Sequence, residues 1–236
     1  MQITISPEYR RLATFVERLP IRFETEGESV YKARNEIKLM HAGGLDVAVK
    51  SFRIPHIINR IAYTFFRPSK ARRSYFNALK LQEAGVNTPS PVAYMEEKKG
   101  GLLSRSFYIS SYVGYPGLLR ELNDRSLDQV KDLAEAFAHF TADVHNRGIL
   151  HRDYSPGNVL YEKKEGQYHF CLVDINRMSF CKRIDERAAA LSLRRLWGNT
   201  DVIVFIAEVY ARDRGFDEKV FKDKVLLYLR RFRKGM

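Results

Sequence analysis

The chain has 236 residues, 45% of them hydrophobic and 12% aromatic, which excludes a disordered chain and suffices for one sizeable core or two lobes. Its 40 Lys and Arg against 28 Asp and Glu leave a net charge of +12, a surplus that suits an anionic partner: nucleotide, nucleic acid or acidic membrane surface. Two cysteines, Cys171 and Cys181, are too few for a disulfide framework and lack metal-ligand spacing. No apolar stretch approaches bilayer length, and the first ten residues lack the basic-then-apolar order of a secretory signal. The expectation is a cytoplasmic protein with peripheral contact at a membrane.

In chain order, residues 21–52 alternate in a strand-like way with breaks at Gly27 and at Gly43-Gly44, which predicts three antiparallel strands. The third, Asp46-Val47-Ala48-Val49-Lys50, closes a β-branched apolar run with a lysine placed to reach the α- and β-phosphates of ATP. The turn Thr25-Glu26-Gly27-Glu28-Ser29 offers one glycine and is expected near the nucleotide, where backbone amides face phosphate. Residues 54–67 carry Ile54, Ile57, Ile58, Ile61, Phe65 and Phe66 at helical spacing, with Arg53, His56, Arg60 and Arg67 interleaved. The favoured expectation is an apolar stripe packed on the lobe, the alternative a face for an acidic membrane surface.

A second helix opens at Ser69 and stops at Gly85. A lysine of this kind usually pairs with a glutamate on that helix, but Tyr75 stands where the glutamate is expected. The extended connector Thr88-Pro89-Ser90-Pro91 feeds strands over 92–96 and 106–112. At the end of the second strand, Ser111, Tyr112 and Val113 are the backbone candidates for reading adenine. Ser126-Leu127-Asp128-Gln129 is a capping box that starts a long helix, lined by Val130, Leu133, Phe137, Thr141 and Val144. His139 and His145 on that helix are expected at the surface or in packing.

The stretch His151 to Asp174 carries the chemistry. It reads His151-Arg152-Asp153, then Asn158 five residues after the aspartate, then Phe170-Cys171-Leu172-Val173-Asp174. Phosphoryl transfer requires little covalent chemistry of the protein: one carboxylate, Asp153, orients the attacking hydroxyl and accepts its proton. Asn158 and Asp174 supply hard oxygens of the kind Mg2+ prefers. Two short strands joined by a turn over 162–167 form a hairpin expected to bring Asn158 and Asp174 together. After Asp174 comes Ile175-Asn176-Arg177, without the long segment that presents a peptide in protein kinases, which argues against a protein substrate. Arg194, Arg195 and Trp197 are expected on a helix, followed by helices over 202–210 and 220–229 and a basic tail, Arg230 to Lys234.

These residues together resemble the bacterial lipopolysaccharide kinases, the Kdo kinase and WaaP family. The marks are Ala48-Val49-Lys50-Ser51-Phe52, Arg67-Pro68-Ser69-Lys70-Ala71, Gly85 to Pro91, His151 to Asn158 and Val173 to Arg177. The resemblance implies an α+β, bilobal, protein-kinase-like fold, with an antiparallel-sheet N-lobe over 1–113 and a mainly helical C-lobe over 114–236. It also implies ATP-dependent phosphorylation of a Kdo or heptose hydroxyl in the lipopolysaccharide inner core, at the cytoplasmic face of the inner membrane. Lys50 would hold the nucleotide phosphates, with Gly27, Ser111 and Val113 also in the nucleotide site. Asp153 and Lys50 would be catalytic, and Asn158 and Asp174 would bind Mg2+. A lipid-linked acidic sugar agrees with the charge of +12, and no recognition motif for nucleic acid accompanies that charge. Another small-molecule kinase, of the aminoglycoside or choline type, and a nucleotide-binding pseudokinase are the alternatives.

Overall fold

A computed structural model describes residues 1–196 and 198–234. The chain divides into two compact units, Met1–Gly114 and Tyr115–Met236.

In the first unit a six-stranded antiparallel sheet takes the order β1 (Gln2–Ile5), β5 (Pro91–Lys99), β6 (Leu102–Ser111), β4 (Leu45–Phe52), β3 (Glu36–Ala42), β2 (Glu28–Lys32). Alternation along the strands divides its side chains between two faces. Val47, Val49, Met95, Phe107 and Ile109 turn to one face and join Phe15, Val16, Leu19 and Phe23 of helix α1 (Ala13–Thr25) in a buried core. Residues 21–25 are therefore the last turns of a helix rather than the first of three strands. Their alternation is also compatible with a 3.6-residue period, and the upstream Phe15, Val16 and Leu19 set that period. The three strands that do form are β2, β3 and β4.

The other face carries Lys50, Phe52, Tyr94, Glu96 and Tyr108, as the register Lys50↔Tyr108↔Tyr94 and Phe52↔Ser106↔Glu96 requires. Helix α3 (Lys70–Glu83) covers part of it, with Tyr75 and Phe76 against Tyr94 at centroid distances of 5.3 and 6.0 Å. Ser69 caps α3 by accepting from the Arg72 amide at 3.0 Å. Helix α2 (Ile57–Phe65) has no buried residue, which overturns the expected inward-facing apolar stripe.

In the second unit, helix α4 (Leu127–Asn146) begins at the expected capping box, the Ser126 amide donating to Gln129 Oε1 at 3.1 Å. Val130, Leu133, Phe137, Thr141 and Val144 are buried along it, and α4 packs on helix α6 (Thr200–Arg214). At Gly148 the backbone takes φ +74, and a Cβ there would fall 1.9 Å from the Cys181 carbonyl oxygen, so only glycine lets the chain turn here. Three small strand pairings follow: β8 (Ile149–His151) with β11 (Met178–Phe180), β9 (Val159–Lys164) with β10 (Gln167–Leu172), and β7 (Gly117–Leu118) with β9. Helices α5 (Glu186–Leu193) and α7 (Glu218–Lys234) complete the unit. Arg194 and Arg195 lie in the turn after α5 instead of on a helix, and Trp197 falls outside the described residues. The basic tail, Arg230 to Lys234, forms the last turns of α7.

His145 is buried and accepts at Nδ1 from the Tyr210 hydroxyl at 2.7 Å, since that hydroxyl already accepts from Arg214 at 2.6 Å. Burial, with the nearby Arg214 charge, pushes its pKa down to about 3 from an ordinary 6.5. The unfolded chain takes up a proton near pH 6.5 that the folded chain refuses, so stability is complete above that value and falls as pH drops toward 3. Thermal melts should therefore show Tm falling with acidification through that window. The fall should be shallower in His145→Gln, and an equal slope in both proteins would contradict this account.

Candidate active site

Four residues of the second unit close a ring of hydrogen bonds. The Asp153 amide donates to His151 Nδ1 at 3.1 Å, and His151 Nε2–H donates to the Val173 carbonyl at 3.1 Å. The Val173 amide donates to the Asn158 carbonyl at 3.0 Å, and Asn158 Nδ2 donates to the Asp153 carbonyl at 2.7 Å. His151 can serve both partners only as the neutral Nε2–H tautomer. Burial, the largest influence on it, lowers its pKa and favours that form. The β9–β10 hairpin fixes the spacing through the pair Leu172↔Val159, across a tight turn in which Glu165 and Gly166 both take positive φ.

Below the ring, Tyr154 anchors the loop. Its ring stacks on Phe137 at 5.6 Å, and its hydroxyl donates to Thr141 Oγ1 at 2.9 Å, while Thr141 donates to the Phe137 carbonyl. Burial raises the Tyr154 pKa, so the phenol stays protonated as that bond requires. Asp174 sits in the left-handed region, φ 52 and ψ 43, and its Oδ1 accepts from Asn176 Nδ2 at 2.6 Å. A non-glycine residue held there costs about 1–3 kcal/mol and recurs where a side chain must be aimed.

The Asp153 carboxylate has two cationic neighbours. Arg195 Nη1 donates to its Oδ1 at 2.6 Å, and Arg177 Nη1 stands 3.6 Å from its Oδ2. The Phe232 ring of α7 steadies Arg195, whose guanidinium lies 5.4 Å above it. The Asp153 side chain remains 31% exposed. Sequence spacing could not find Arg195 or Phe232: they lie 42 and 79 positions beyond Asp153, on elements that only tertiary packing returns to the loop. Arg177 was visible as part of the Asp174-Ile175-Asn176-Arg177 run, without an assigned partner.

In the first unit, Lys50 projects from the β4 face opposite the α1 core, its Nζ 5.4 Å from the Phe52 ring centroid. Glu96 on β5 shares that face and is 8% exposed. Its sequence signal is a charge inside an apolar strand. Gly27 joins α1 to β2 at φ +84, where a Cβ would lie 2.8 Å from the Leu39 carbonyl. It therefore does not lie in a turn between two sheet strands; the β2–β3 turn is Ala33-Arg34-Asn35, closed by the Ala33 amide on the Asn35 carbonyl. Ser111 ends β6 with its amide on the Ser90 carbonyl and its Oγ accepting from the Ser90 amide, both at 2.9 Å. Val113 lies two residues past the strand end, outside the sheet pairing.

A sequence model of the lipopolysaccharide kinase (Kdo/WaaP) family matches residues 53–204, more than half of the chain. The chain belongs to that family. Among solved structures it is similar to WaaP in complex with acyl carrier protein, at 17% identity and a TM-score of 0.67 over 100% of this chain and 99% of that one. That likeness shows a shared kinase-like fold, a mixed α/β architecture with an antiparallel sheet toward the N-terminus and a helical C-terminal part. No curated protein matches the sequence. The family's enzymes phosphorylate lipopolysaccharide sugars, so the chain is a phosphotransferase with an alcohol acceptor, and ATP use follows from the family.

Replacing His151 with alanine removes two ring bonds at once and leaves a part-buried amide and a part-buried carbonyl unpaired. Urea denaturation should show a loss of about 2–4 kcal/mol. A change within about 0.5 kcal/mol would mean that the loop is held by other contacts.

Proposed function

We propose that this kinase transfers the γ-phosphoryl group of ATP to a hydroxyl of a sugar, Kdo or heptose, in the anionic inner core of lipopolysaccharide. The acceptor would be lipid-linked and met at the cytoplasmic face of the inner membrane. The observation that carries this reading is the Arg195–Asp153–Arg177 cluster. A carboxylate meant to orient a hydroxyl, flanked by two guanidinium groups, suits an acceptor that brings its own carboxylate or phosphate to the reaction. An acceptor molecule without such an anion would make only the weaker, neutral hydrogen bonds with those cations.

In this reading Asp153 positions the acceptor hydroxyl and takes its proton as the bond to phosphorus forms. Its carboxylate is aimed by the ring of hydrogen bonds and by Arg195. Asn158 and Asp174 would hold Mg2+. The donor set fits, because Asn158 Nδ2 is committed to the Asp153 carbonyl, which leaves Oδ1 as its coordinating atom beside a carboxylate, both hard oxygens. Bound Mg2+ would neutralise phosphate charge and orient the triphosphate. Lys50 would hold the α- and β-phosphates, and the backbone after Ser111, at Val113, would meet adenine. Ser111 itself has spent its amide on Ser90. The Gly27 backbone, where α1 passes into β2, would also face the nucleotide phosphates.

Transfer of labelled phosphate from ATP to Kdo2-lipid A, measured beside soluble aminoglycosides and choline, tests the reading. Label should enter the lipid alone, and Asp153→Asn should lower kcat by about 10²–10⁴-fold. Arg195→Ala should raise the acceptor KM about tenfold while the ATP KM holds. Label entering the soluble amines, or Asp153→Asn at wild-type rate, would contradict it.

A further inference from the structure

Helix α2 is docked with its polar side inward. Arg60 donates from Nε to the Leu103 carbonyl at 2.7 Å and from Nη2 to the Lys99 carbonyl at 3.1 Å. Thr64 Oγ1 accepts from the Leu103 amide at 2.8 Å. These bonds tie α2 to the β5–β6 end of the sheet. At 100° per residue, Ile58 and Phe65 lie roughly 120–140° round the helix from the Arg60–Thr64 side and Ile61 roughly 80°, and Ile58, Phe65 and the following Phe66 are 78%, 67% and 80% exposed. An amphipathic helix normally buries its apolar arc against its own domain. Here the apolar arc points away from it.

A cavity of about 300 Å³ opens beside the N-terminal end of this helix. Arg34, Arg53, His56 and Lys70 line it, together with the rings of Phe52 and Tyr63. None of the residues lining it is acidic. A cavity with four basic side chains and aromatic walls suits a phosphate ester carried on an apolar body. The outward apolar arc of α2 supplies a neighbouring surface for the acyl part.

We propose that α2 and this cavity form one binding site for an anionic phospholipid surface, the cavity taking a headgroup phosphate while the apolar arc enters the headgroup–acyl boundary. The inference deepens the reading of a lipid-linked acceptor and rests on it for its purpose, but lipid binding and phosphotransfer can be read separately. Both halves of the site are needed, because apolar insertion alone does not choose between neutral and anionic lipid, whereas basic groups near the surface do.

The test is co-sedimentation of the full chain with vesicles of phosphatidylcholine, with and without about one-third phosphatidylglycerol. The chain should pellet with the anionic vesicles and stay in solution with the neutral ones. Ile58→Asp with Phe65→Asp should lower the apparent affinity about tenfold or more, and so should Arg53→Glu with His56→Glu. All four side chains are exposed, so both variants should keep the wild-type Tm. Millimolar ATP should leave the pelleting unchanged. Equal binding to neutral vesicles, wild-type binding by either double variant, or displacement by ATP would overturn the proposal. So would capture of an acidic acyl-carrying protein by α2 without any vesicle binding. Transfer to detergent-dispersed Kdo2-lipid A should survive in both double variants. If transfer fails in the wild type while vesicle binding holds, the acceptor assignment falls and the lipid site stands.

Discussion

The site depends on one imidazole kept neutral. His151 accepts at one nitrogen and donates at the other, and in doing so ties the loop that bears Asp153 to the strand end that bears Asp174. Protonating it would turn Nδ1 into a donor facing the Asp153 amide, so the ring of four hydrogen bonds exists in one protonation state only. Burial selects that state. The same bonds leave the Asn158 Oδ1 and the two carboxylates as the groups not consumed in holding the loop together by the ring itself. In the proposed function, backbone, imidazole and Asn158 Nδ2 do the positioning, while Asn158 Oδ1 and the two carboxylates would do the chemistry.

Charge is organised around that loop with a second layer of support. The guanidinium of Arg195 lies between the Asp153 carboxylate and the face of Phe232, so a C-terminal helix with no catalytic group of its own helps set the electrostatics of the loop. A partly exposed pair of this kind contributes little to stability. In the proposed function it would present positive charge where an anionic acceptor arrives. On the other unit, the sheet sorts its residues by alternation. One face is apolar and covered by α1, while the opposite face mixes Lys50 and Glu96 with aromatic rings.

The parts of the fold legible in the sequence were those with local causes. The capping box at Ser126, the apolar stripe of α4 and the β9–β10 hairpin follow from neighbours within a few residues, and so does the spacing of His151, Asp153 and Asn158. What was not legible came from distant packing. Residues 21–25 satisfy both a strand and a helix pattern, and only the contact of Phe15, Val16 and Leu19 with the sheet decides for helix. The periodicity of α2 predicts a helix correctly but not its orientation, which Arg60 and Thr64 set through bonds to backbone some forty residues later. Arg195 is invisible for the same reason: nothing near it in the chain announces Asp153.

The central claim is that the ring aims Asn158 and Asp174 at a divalent ion shared with the nucleotide. The most direct measurement is electron paramagnetic resonance of Mn2+, standing in for Mg2+, titrated with the protein and a non-hydrolysable ATP analogue. The account predicts a bound-ion signal that requires the nucleotide and is lost in Asp174→Ala, and one weakened in His151→Ala although that residue touches no metal. A signal unchanged in both variants would contradict it.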